Sequence, residues 1–106
     1  MIDGATIAKA ARLLARAAPR RSRVILFGSH ARGQAGPRSD LDLLVVEPRV
    51  RDAIREAARL DRVLVEIRSP LDLVVLSRQA FERWKDTPNT LPYEASRKGK
   101  VLYGGT

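Results

Sequence analysis

Residues 28–42 read Gly-Ser-His-Ala-Arg-Gly-Gln-Ala-Gly-Pro-Arg-Ser-Asp-Leu-Asp. The pattern is Gly-Ser, ten residues, then Asp-x-Asp. Gly28 lets backbone approach a ligand closely and adopt dihedrals closed to other residues. Ser29 adds a hydroxyl where a helix begins, and backbone N–H groups there can hold phosphate without a basic side chain. Asp40 and Asp42 lie two apart in an extended run, so their carboxyls share one face. A third acid, Asp72, stands inside the apolar run Leu71–Leu76. A buried carboxylate in such a run needs a partner. Like charges 4 Å apart repel by about 4 kcal/mol at a near-surface dielectric, so three converging carboxylates call for protons or cations. Clustered hard oxygen ligands suit Mg²⁺, and beside phosphates they suit two such ions.

Four fixed residue types at this spacing arise by chance in roughly one chain in a thousand of this length. The pattern is therefore informative, although its members differ. Asp40 follows Ser39 at a loop end and, taken alone, reads better as a turn acid. Asp42 lies inside the strand and does not. Arg32 and Arg38 flank the loop within reach of phosphates, solvated loop arginines being the plain alternative. His30 is the only histidine, and a surface or capping role suits it better than general base. The chain contains neither a Ser-His-Asp or Cys-His set nor a Walker A sequence.

The elements that must position these residues follow from periodicity. Ile7, Ala11, Leu14 and Ala18 predict an amphipathic helix over 3–18, ended by Pro19. Val24–Phe27 predicts a strand over 23–27, followed by a short helix near 30–33 and a loop at Gly33, Gly36 and Pro37. A second strand covers 40–46. Residues 50–68 are ambiguous. Val50, Ile54, Ala57, Ala58 and Leu64 fit a helix reaching about residue 66, while Val63, Val65 and Ile67 alternate as a strand over 62–68. The helix is favoured because Pro70 starts a fresh strand, 71–76. Ser77 can cap a helix over 78–86 with Phe81 and Trp84 inward. Asn89 or Thr90 can cap a last helix, with Pro92 near its start and Gly99 past its end. Val101–Tyr103 can add an edge strand. The expectation is one α/β (α+β) domain over 1–106: a small mixed β-sheet with flanking helices.

The bulk numbers fit this picture. At 106 residues and 44% apolar, the chain can bury one modest core. With no cysteine it has no disulfide and no thiolate metal site. No apolar run nears the ~20 residues of a membrane span, and with no export signal visible the cytoplasm is the default. A net charge of +8 suggests an anionic partner such as nucleotide, nucleic acid or an acidic protein, with plain solubility as the other explanation.

Together, Gly28-Ser29-His30-Ala31-Arg32-Gly33, Ser39-Asp40-Leu41-Asp42-Leu43-Leu44-Val45, Pro70-Leu71-Asp72-Leu73-Val74 and the tail from Asn89 to Tyr103 resemble the minimal nucleotidyltransferases of the DNA polymerase β-like superfamily. The resemblance covers nearly the whole chain and favours a helix before Pro70. It implies transfer of a nucleoside monophosphate, AMP from ATP, to an acceptor hydroxyl with release of pyrophosphate. Carried over by position, Gly28, Ser29 and Arg32 hold the nucleotide. Asp40 and Asp42 bind both Mg²⁺ ions, while Asp72 binds the catalytic one and helps deprotonate the acceptor. Larger members carry a further substrate domain, so here a partner is expected to complete the acceptor site, as an oligomer or hetero-oligomer. Small members resembling this chain pair with HEPN-type toxins as antitoxins and add AMP to a toxin Tyr. Transfer to RNA, or an antitoxin that only masks its partner, are the alternatives.

Overall fold

Among the described residues, four strands form a mixed sheet and five helices cover its two faces. The computed structural model describes residues 3–36 and 39–104. The order is α1 (Gly4–Ala17), β1 (Arg23–Phe27), α2 (Gly28–Ala31), β2 (Leu41–Glu47), α3 (Ala53–Val63), β3 (Leu71–Ser77), α4 (Arg78–Trp84), α5 (Leu91–Lys98) and β4 (Lys100–Tyr103). The sheet runs β3-β2-β1-β4. β1 pairs antiparallel with both β2 and β4, and β2 pairs parallel with β3. The expected α/β class is thus found.

The period-two alternation of β1 and β2 sends side chains to two separate cores. Val24, Leu26, Leu41, Leu43 and Val45 pack with Ala10 and Leu14 of α1 and Leu60 of α3. Ile25, Phe27, Leu44 and Val46 pack with Phe81 of α4 and Ala95 of α5. Both central strands are therefore buried on both faces, which explains why they read as continuous apolar runs. Parity puts Asp42 on the α4/α5 face and Glu47 on the α1/α3 face.

Most boundaries follow from caps. Asp3 accepts from Thr6 N at 2.8 Å to start α1. Asp52 accepts from Arg55 N, Ser77 from Ala80 N and Thr90 from Tyr93 N. Asn89, the other cap candidate, instead takes φ 67°, a left-handed turn that Asn tolerates. Three expectations need correction. The short helix starts at Gly28, not near 30, because the chain turns as soon as β1 ends. The third helix covers only 53–63: Asp52 caps its start, and Leu64 N–H bonding to Asp61 tightens its end. Residues 64–70 form turns that bury Leu64 and Ile67 while leaving Val65 80% exposed, so the alternation at 62–68 is not a strand. Trp84 faces outward, 44% exposed beneath the Arg83 guanidinium, because α4 ends at Trp84 and only Phe81 reaches the core. Pro37 of the expected loop lies outside the described residues.

Candidate active site

Asp40 precedes β2 and Asp42 is its second residue, and the two neighbouring strands bring the remaining candidates to them. In the antiparallel ladder Phe27 is opposite Asp42, so the chain leaves β1 and enters Gly28 directly beside that carboxylate. Gly28 has φ 73°, a left-handed conformation that disfavours any side chain. A Cβ at Gly28 would collide with Oδ2 of Asp42. Glycine is favoured there by backbone conformation and by space. Ser29 follows in the first turn of α2, whose leading N–H groups have no intrahelical acceptor.

On the other side, Asp42 is in register with Asp72 of β3. Adjacent strands lie about 4.8 Å apart, and parallel register keeps both carboxyls on the α4/α5 face. Asp72 is exposed because β3 is an edge strand. The expected burial cost of an acid in an apolar run is therefore absent. Asp40 precedes β2 and is exposed at the loop end. Burial, then Asp72, then Asp40 push the Asp42 carboxyl above its ordinary range, so both neighbouring acids act on Asp42. Among the described residues no group of three acidic or histidine side chains stands in metal-holding geometry. The close pair is Asp42 and Asp72. An oxygen-only pair carrying excess negative charge fits a hard cation such as Mg²⁺.

The flanking residues have partners of their own. His30 bonds through Nε2 to the Ser39 carbonyl oxygen at 3.4 Å and so ties α2 to the loop end. Arg32 is held by Glu94 of α5, Nη1 to Oε1 at 2.6 Å, with Nε donating to Gln34 at 3.3 Å. Arg38 lies outside the described residues. Glu94 was not singled out in the sequence, since nothing local connects it to a residue 62 positions earlier. Its only sequence signal is an acid in the first turn of the last helix. Beside this bridge, Phe27, Thr90, Tyr93, Glu94, Arg97 and Lys98 line a groove of about 550 Å³, with the Arg97 guanidinium 5.0 Å from the Tyr93 ring centroid.

The geometry is thus a glycine turn pressed against an acid pair on a mixed sheet. The nucleotidyltransferase domain family matches residues 7–101, and the chain belongs to it. Solved structures share the fold. A mutant of the toxin–antitoxin MntA-HpeT is 24% identical with TM-score 0.66, covering 92% of this chain and 73% of that one. The toxin–antitoxin with AMP-PNP is 24% identical with TM-score 0.66, covering 99% and 76%. A Sulfolobus solfataricus protein assigned to the nucleotidyltransferases is 21% identical with TM-score 0.63, covering 92% and 76%. No curated protein matches the sequence. The protein is a nucleotidyltransferase by family and by fold, as the resemblance implied.

Proposed function

We propose that this chain moves AMP from ATP to a hydroxyl of a protein partner and thereby acts as an antitoxin. The observation that carries the reading is the register pair Asp42–Asp72 beside the glycine at position 28. The acceptor oxygen attacks the α-phosphorus, the bond to the β-phosphate oxygen breaks, and pyrophosphate leaves with its electron pair. The acceptor proton passes to a carboxylate, and the exposure of Asp72 supports that residue in the role. Gly28 and Ser29 hold the triphosphate through backbone N–H groups, and Arg32 reaches its outer phosphates once Glu94 releases it. Mg²⁺ held by Asp42 and Asp72, with Asp40 beside them, would neutralise charge on the attacking and leaving oxygens. The groove at Phe27 and α5 has a volume suited to a nucleoside.

The partner is proposed as a HEPN-type toxin with a Tyr acceptor. Support comes from the sequence resemblance and from fold neighbours that are toxin–antitoxin structures, one of them holding AMP-PNP. The test uses α-labelled ATP, Mg²⁺ and a lysate of the source organism, with Asp42→Asn as the control. Label transferred to a protease-sensitive product by the wild type alone supports the reading. A nuclease-sensitive product would shift the acceptor to RNA. A bound and neutralised partner that carries no label, with Asp42→Asn equally protective, would leave masking alone.

A further inference from the structure

A second charged site lies at the far end of β2. Asp42 and Glu47 are five residues apart on that strand, so about 17 Å separates them, and odd spacing places them on opposite faces of the sheet. At the Glu47 end a groove of about 470 Å³ runs between the β2–α3 connection, α3 and Pro19. Arg49, Arg51, Arg55, Arg59 and Arg62 all line it. Arg55, Arg59 and Arg62 recur at helical spacing on one stripe of α3.

The acids of the groove are already engaged. Asp52 caps α3 through Arg55 N. Glu56 takes both Nε and Nη2 of Arg59, each at 2.8 Å, and Arg59 also donates to the Ala17 carbonyl at 2.9 Å, tying α3 to the end of α1. Glu47 is only 2% exposed at the groove wall, and its Oε2 has no hydrogen-bond partner among the described residues. Burial and the neighbouring Glu56 favour its uncharged form, so it adds little negative charge to the groove. That leaves Arg49, Arg51, Arg55 and Arg62 with no acidic partner among the described side chains. Like charges on one stripe repel, and a cleft lined with one sign concentrates the field on an oppositely charged ligand. The lining contains no aromatic ring, so it offers nothing for bases to stack on. Its chemistry addresses phosphates.

We propose that this arginine groove binds adjacent phosphate groups, from an RNA backbone or a free polyphosphate, at a site separate from the Asp42–Asp72 centre. This extends beyond nucleotidyl transfer and does not depend on it: Asp42→Asn retains the groove.

The test measures fluorescence anisotropy of a labelled 20-nucleotide RNA, and the Tm shift produced by sodium tripolyphosphate, both in EDTA. It compares wild type, Asp42→Asn, Arg49→Ala/Arg51→Ala/Arg55→Ala, and the charge-matched control Arg12→Ala/Arg16→Ala/Arg83→Ala. All six arginines are exposed, and circular dichroism checks folding. Arg62→Glu serves as a second groove variant. RNA affinity falling about tenfold or more in the groove variants, with the salt slope of the triple reduced by about 2, and within threefold of wild type in the control, supports an RNA backbone. A tripolyphosphate Tm shift lost in the groove variants, with no RNA binding, supports a free polyphosphate. Equal losses in the groove triple and the control, or no response to either probe, overturns the proposal.

Discussion

Gly28 and Asp42 are packed so closely that a single methyl on the glycine would collide with Oδ2 of the aspartate. The contact sets the Gly28 turn directly against the Asp42 carboxylate. Gly28→Ala should cut nucleotidyl transfer at least about 100-fold. It should also destabilise the fold by about 1–3 kcal/mol, since φ 73° is strained for any side chain. A double-mutant cycle identifies the cause. Gly28→Ala combined with Asp42→Ala should cost less than the sum of the single changes by about 1 kcal/mol, because the colliding carboxylate is gone. Simple additivity in urea unfolding would mean that strain at Gly28 alone sets the cost.

The register pair of Asp42 and Asp72 carries excess negative charge in the absence of a cation. Asp72→Asn should abolish transfer, by about 100-fold or more, while raising Tm in EDTA because the repulsion is relieved. Mg²⁺ with a nonhydrolysable ATP analogue should then raise the Tm of the wild type but leave Asp72→Asn almost unmoved. Equal Mg²⁺ shifts in the two proteins would place the ion elsewhere.

Arg32 is bound to Glu94 at 2.6 Å, with both side chains partly exposed. Such a pair contributes about 0–1 kcal/mol to stability, so Glu94→Gln should barely change Tm. Freed from its partner, Arg32 becomes available to phosphate. Titration calorimetry with the ATP analogue should show Kd falling about fivefold in Glu94→Gln and rising in Arg32→Ala. Unchanged affinity in both would mean that the bridge is structural only.

Much of this site was readable in the sequence because it depends on local spacing. The strand-type run before Gly28 and the parity of Asp40 and Asp42 are properties of neighbouring residues, and β1 appears over the expected 23–27. Asp72 was found as an acid in an apolar run, although the reason given for it, burial, does not apply on an edge strand. The parts that were not legible depend on tertiary contact. No spacing rule links Arg32 to Glu94. The alternation of Val63, Val65 and Ile67 imitates a strand, but Val63 ends α3 and the segment after it buries Leu64 and Ile67 while exposing Val65. Trp84 was expected inward because helical periodicity does not reveal where α4 stops. Glu47 lies just outside the expected strand 40–46, and only the tertiary packing shows it buried at the end of β2.

Glu47 makes the fold sensitive to pH. Burial, then a hydrogen bond with Glu56 and that residue's charge, push its carboxyl up to about 8 from an ordinary 4.5. Arg59 holds Glu56 well below the carboxylate range. Between pH 4.5 and 8 the folded chain keeps a proton on Glu47 that the unfolded chain has lost, so this residue's contribution falls as pH rises through that window. Below 4.5 the sign reverses for Glu56, whose contribution is lost as its carboxylate is forced to protonate. The wild type should therefore lose about 5 °C or more of Tm between pH 5 and pH 9 through Glu47. Glu47→Gln keeps the shape and supplies an uncharged donor toward Glu56, so its Tm should stay nearly flat over the same range and exceed the wild type at pH 9. Parallel Tm curves for the two proteins would show that Glu47 is ionised in the fold at neutral pH and that another partner accommodates its charge.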